Sequence, residues 1–175
     1  NNNYDFVICL GVVQHTPSSE QTINELWSRV KPGGTLVFDH YRKKLRNYLP
    51  PPLGVGGMLY RLYFLSLPKE KQFDAVKRVF DFWFPIVWKY RQNKLIQTLL
   101  ARITPIVNYY PHFGLKDKNM YYEWMLLDTD DAATDVFKHR RTCGEIERFL
   151  VELGAVDIKV VNGGNGVEAF CRKPV

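Results

Sequence analysis

The 175-residue chain is 46% hydrophobic and carries 24 Lys and Arg against 18 Asp and Glu, for a formal charge of +6. That composition supports one packed core and excludes a disordered polyelectrolyte. No apolar run approaches the roughly 18 residues of a membrane-spanning helix, and three widely spaced cysteines, Cys9, Cys143 and Cys171, make no disulfide framework, so a reducing, cytoplasmic setting is expected.

In chain order, Tyr4–Leu10 (YDFVICL) is short, apolar and rich in β-branched residues, which predicts a strand buried on both faces of a parallel sheet. Gly11 ends it. After the loop Gly11–Pro17, Ser18 or Ser19 caps a helix whose first turn carries Glu20 and Gln21. Ile23, Leu26, Trp27 and Val30 recur at helical spacing. Lys31-Pro32-Gly33-Gly34 then stops the helix, because proline cannot extend it and glycine permits a positive φ. A second buried strand is predicted over Thr35–Asp39. Two strands joined through such a helix form a right-handed βαβ unit, and open α/β sheets bind ligands beyond the carboxyl ends of their strands, here Leu10–His15 and Asp39–Arg42.

The composition changes at Arg42. Residues 42–120 hold 15 Lys and Arg against 4 Asp and Glu, about +11, whereas the remainder has 9 against 14. This insert passes the turn-forming Pro50-Pro51-Pro52-Leu53-Gly54 and predicts three helices. One runs from about Val55 to Leu67. A second begins near Pro68, with Phe73, Val76, Val79, Phe80 and Trp83 on one face and Pro85 as a kink or end. A third spans about Ile86 to Ile103. The aromatic, irregular segment Tyr109–Leu115 follows, then a helix over Met120–Leu127 and an acidic turn at Asp128–Asp131. Thr142 and Glu145 form a capping box that opens a helix over Cys143–Leu153, closed by Gly154. Strands over Ala155–Val161 and Val167–Arg172 are joined by the glycine-rich turn 162–166.

The pattern YDFVICLGVVQHTPS…L…VKPGGTLVFDHY closely resembles the fourth strand, following helix and fifth strand of class I S-adenosylmethionine-dependent methyltransferases. RRTCGEIERFLVELGAVDIKVV…GVEAFCRKP resembles the last helix and the antiparallel sixth and seventh strands of the same fold. The resemblance implies an α/β architecture: the C-terminal half of a Rossmann-like methyltransferase sheet, two parallel strands plus an antiparallel pair, with a helical insert. It divides the chain into 1–41 with 121–175 as the partial Rossmann-like domain and 42–120 as a basic, aromatic-rich substrate lid. In this family a glycine-rich loop and an acidic strand end, both upstream of Tyr4, hold most of the cofactor. No G-x-G-x-x-G opens a βα unit here. The chain therefore reads as the C-terminal part of a larger enzyme, with an open edge at Tyr4–Leu10 through which self-association is expected.

What the resemblance implies for chemistry is displacement at a sulfonium methyl group, which a protein assists mainly by alignment and exclusion of water. Cys9, Leu10, Gly11 and Val12 are expected along S-adenosylmethionine, with Gln14 or His15 near the adenine or the site entrance. His40, Tyr41 and His139 are the candidates to take the acceptor's proton, histidine being the natural base near neutral pH. Arg42, Tyr109, Tyr110, Arg140 and Arg141 are candidates for binding the substrate, an anionic or lipid-linked small molecule or a glycan. Scattered histidines without Cys or Asp at ligand spacing give no metal site. A basic amphipathic insert also suits a membrane surface, and no nucleic-acid motif accompanies it. A non-catalytic methyltransferase-like binding module is the alternative.

Overall fold

The computed structural model describes residues 4–49, 53–54, 56–110, 114–115, 117–164 and 166–175. The Pro50–Pro52 turn, Val55 as a helix start and Pro111–Phe113 lie outside the described residues. The chain divides into two compact units, Asn1–Lys43 with Phe137–Val175, and Lys44–Val136.

The first unit is a sheet. Strand β1 (Tyr4–Cys9) pairs in parallel with β2 (Val30–His40), and helix α1 (Ser19–Arg29) connects them. After the insert come α6 (Cys143–Glu152), β3 (Val156–Asn162) and β4 (Val167–Arg172), with α2 to α5 assigned to the insert below. The strand order is β1-β2-β4-β3, and β4 runs antiparallel to both neighbours. Ile23 and Trp27 of α1 and Ile146 and Leu150 of α6 share one apolar cluster with Leu36, Phe38, Ala169 and Cys171, so both helices cover the same face of the sheet.

The β1 strand departs from expectation. Val7 and Cys9 turn to the helices, but Phe6 and Ile8 are 68% and 65% exposed. Period-2 alternation sends them to the opposite face, and β1 lies at the edge of the four-stranded order with α1 and α6 both on the other side. Helix α1 ends at Arg29, before the Lys-Pro-Gly-Gly expected to stop it; Val30, expected on the helix, is its extended C-cap, and β2 starts there rather than at Thr35. The β1–β2 register jumps from Tyr4 opposite Val30 to Phe6 opposite Thr35, so Lys31–Gly34 bulge out with Gly33 at φ 76. Lys173 fastens the bulge: its amide donates to Gly34 O at 2.9 Å, and its Nζ donates to Trp27 O and Val30 O at the end of α1. The predicted capping box of α6 is present.

The second unit holds α2 (Gly57–Leu65), α3 (Lys69–Lys89), α4 (Lys94–Ile103) and α5 (Lys118–Thr134). Pro85 neither ends nor splits α3. The break falls at Tyr90–Asn93, where the Asn93 side chain accepts from the Ile96 amide (3.1 Å) and caps α4, while Phe84 and Val87 on either side of the proline stay buried. The acidic turn is also helical. Thr129, fully buried, accepts the Val107 amide at 3.0 Å, and α5 continues to Thr134 against α2 and α3. Residues 121–136 thus go with the insert rather than with the sheet. They bring five carboxylates, so residues 44–136 hold 13 Lys and Arg against 9 Asp and Glu, +4 rather than the +11 of 42–120. No helix among the described residues is long and apolar enough to cross a membrane.

Candidate functional site at the carboxyl ends of the parallel strands

The two parallel strands end together. Gly11, at φ 72, donates its amide to Oδ1 of Asp39 at 2.6 Å, so the loop after β1 is tied to the penultimate residue of β2. Asp39 is only 5% exposed, and a buried carboxylate needs such a donor. The tie leaves Leu10, Gly11 and Val12 facing solvent while Val13 and Gln14 turn inward through a short 3-10 turn, Val13–His15. Burial, reinforced by the charge of Asp39, raises the Cys9 thiol above its ordinary value, and its side chain packs toward the core.

Behind the loop lies a polar cluster. His40 is fully buried, with Nδ1 3.2 Å from Tyr41 O and Nε2 2.9 Å from Ser19 Oγ. A carbonyl only accepts, so Nδ1 carries the proton and the Ser19 hydroxyl donates to Nε2. Burial lowers the His40 pKa and holds the ring neutral. With both nitrogens engaged and no exposure, His40 fastens the start of α1 to the end of β2 and does not serve as the base expected of it.

Arg141 is likewise committed. Its Nε and Nη2 donate to Glu20 Oε1 at 2.8 and 2.6 Å, and its backbone pairs with Tyr41 O and the Lys43 amide. Burial works against the Glu20 carboxylate, but the Arg141 hydrogen bonds and charge bring its pKa below the usual range. An arginine held this way is a strut rather than an anion receptor. Lys43 reaches Glu145 at 3.1 Å, and the Thr142 amide foremost, with Lys43, takes that carboxyl down to about 2.

Around these groups the ring of His15 meets that of Tyr41 edge to face at 5.1 Å, and Lys138 Nζ stands 5.6 Å from the Tyr41 ring centre. The His139 amide donates to Gln14 O at 3.0 Å. Two side chains in this cluster keep buried polar atoms without hydrogen bonds among the described residues: both amide atoms of Gln14, and Nε2 of His139. Buried polar atoms are ordinarily paired, and unpaired ones point to a bound polar group or water. The structure therefore gathers Gln14, His15, His40, Tyr41, His139 and Arg141, leaving Arg42 exposed and Arg140 half-buried at the rim. Tyr109 and Tyr110 belong to the second unit. Tyr110 packs at 6.0 Å from Trp88 and 5.5 Å from Tyr121, with the Arg91 guanidinium over its ring, and both tyrosines lie half-buried against the apolar cluster of that unit.

Sequence reasoning put Asp39 at a ligand-facing strand end but gave it no role, and missed Ser19 and Glu20 as parts of the site. Asp39 carried a usable signal: a carboxylate inside a buried strand requires a donor, and the loop glycine across the parallel pair offers one.

Residues 1–38 match the model of a family described as a methyltransferase domain. Over β1, α1 and most of β2 this agrees with the resemblance to class I S-adenosylmethionine-dependent methyltransferases. The chain is also similar to the crystal structure of a possible exported protein from Bordetella parapertussis, at 16% identity and a TM-score of 0.42, over 100% of this chain and 40% of that one. This chain thus spans about two fifths of the length of that protein.

Proposed function

We propose that the sheet unit is the C-terminal half of an S-adenosylmethionine-dependent methyltransferase acting on a small-molecule, glycan or lipid-linked acceptor. The observation that carries the reading is the Gly11–Asp39 tie, which presents Leu10, Gly11 and Val12 as an exposed wall at the carboxyl end of a parallel strand pair. Those three residues fit one side of a cofactor site, supplying apolar surface and backbone. Gln14 is fully buried and His15 is taken up by Tyr41, so neither stands on that wall. When bound, the cofactor supplies an activated methyl group on sulfur. The rest of the site, including a glycine-rich loop, comes in this reading from polypeptide outside these 175 residues, and the uncovered apolar side of β1 is where it would pack.

Of the three candidate bases, His139 is the one whose ring nitrogen, Nε2, lacks a hydrogen-bond partner among the described residues, and the orphan Gln14 amide lies in the same cluster. His139, half-buried, would take the acceptor's proton, with the buried Gln14 behind it holding the His139 amide through its own carbonyl, while Tyr41 and His15 shield the approach from water. Free Cys9, Cys143 and Cys171 support a reducing, cytoplasmic setting.

The test is calorimetry with S-adenosylmethionine. The 175-residue chain alone should show no micromolar binding, whereas a longer protein that includes the upstream residues should bind, and Gly11→Val should weaken it. Micromolar binding by the short chain overturns the half-site, and no binding by the longer protein overturns the methyltransferase reading.

A further inference from the structure

The helical unit carries an apolar surface that its own core leaves unused. On α4, Leu95, Leu99 and Ile103 recur every fourth residue and are 85%, 57% and 37% exposed, while Leu100 faces inward. Lys94, Thr98 and Arg102 form the adjoining row one residue back; the Arg102 guanidinium donates to Leu53 O at 2.6 Å, so Lys94 supplies the row's exposed charge beside the apolar one. Helix α2 adds Leu59, Leu62 and Tyr63, each more than half exposed. The two helices are locked together: the Gly56 amide donates to Ala101 O at 3.2 Å, and a Cβ on Gly56 would come within 2.5 Å of Thr104 O. At their junction Gly56, Leu59, Tyr60, Tyr63, Val79 and Ile103 line an open, largely apolar cavity of about 480 Å³.

Charge decides what this face fits. From Phe82 to Lys116 the sequence has five Lys and Arg and no Asp or Glu. A second copy meeting the same face by a two-fold axis would bring like charges together. An anionic bilayer matches both rows at once: headgroup phosphates for the basic row, the acyl boundary for the leucines. We infer that the α2–α4 face seats this protein on an anionic lipid surface, with Leu95 and Leu99 entering the acyl boundary, Lys94 at the phosphates, and one acyl chain entering the cavity.

The experiment is co-sedimentation of the 175-residue chain with phosphatidylcholine vesicles, with and without phosphatidylglycerol. Binding is expected to the mixed vesicles, to fall with added salt, and to drop at least about tenfold in Leu95→Asp/Leu99→Asp, because burial of two leucines is lost. Lys94→Glu should weaken binding, and Ile103→Trp, which fills the cavity, should do so on mixed vesicles. All four sites are exposed, so circular dichroism melts should match the parent. No binding to mixed vesicles, or equal binding by the double variant, overturns the proposal. So does a double variant that changes only the oligomeric state in light scattering, which would make the face a contact between copies.

Discussion

Two side chains show how single residues hold the strand ends. Asp39→Ala strips the Gly11 amide of its buried acceptor and should cost about 1–3 kcal/mol in urea unfolding, whereas Asp39→Asn keeps an acceptor oxygen and should recover most of the loss. Equal losses would mean that the carboxylate charge, not the hydrogen bond, matters. His40 makes a pH prediction. Burial depresses its folded pKa below 6.5, so its neutral form contributes stability that is fully present above that value and is lost as pH falls through the folded pKa. Protonation would also break the Ser19 hydroxyl's donation to Nε2. Denaturant midpoints should fall on acidification below about pH 6.5, and His40→Gln should flatten that part of the profile. An unchanged slope in the variant would remove His40 from the account. Gly166 is constrained differently, since a Cβ there would lie 2.5 Å from His40 O at φ 141, so Gly166→Ala should destabilise the same strand end.

At the scale of elements, the regular parts were legible because short-range chemistry sets them. Thr142 and Glu145 announced α6, whereas Lys31–Gly34 marked the end of α1 only approximately, since Val30 already starts β2. Thr142→Ala should therefore cost about 1 kcal/mol by loss of the cap. Elements governed by tertiary burial were not legible. Pro85 looked like a boundary, yet Phe80, Phe84 and Val87 on the inner side of α3 hold the helix through it, and Pro85 itself is exposed. The acidic run at Asp128–Asp131 looked like a turn, yet buried Thr129 and Ala133 draw it into α5. Local propensity yields where packing on one face is continuous. Likewise the chain-order pattern identified the loop after β1 but could not show that His40 and Arg141 spend their polar atoms on Ser19 and Glu20. Because Pro85 removes one helical hydrogen bond and little packing, Pro85→Ala should raise the stability of the chain by about 1–3 kcal/mol in thermal or urea unfolding. A decrease would show that α3 needs the kink to fit its neighbours.

For the whole molecule, the charge asymmetry read from the sequence largely dissolves once α5 joins the insert: the helical unit stands at +4 and the sheet unit, with 11 Lys and Arg against 9 Asp and Glu, at +2. What distinguishes the units is instead where each leaves apolar surface uncovered. In the sheet unit it is the edge strand, with Phe6 and Ile8 outward beside Val37 and Phe170. An exposed edge offers unpaired backbone groups as well as apolar side chains, and natural proteins usually blunt such edges with a charge. Here Asp5 is matched to Lys31, so it offers the edge little repulsion. The 175-residue chain should therefore self-associate with rising concentration in sedimentation velocity. Ile8→Lys places a charge on that face at little cost to folding, since the side chain is 65% exposed, and should return the chain to a monomer with an unchanged melting temperature. Leu95→Asp/Leu99→Asp, in the other unit, should leave the association untouched. Association that survives Ile8→Lys but not the leucine substitutions would move the sticky surface from the sheet edge to α4, and would overturn both this assignment and the lipid-docking role of that helix.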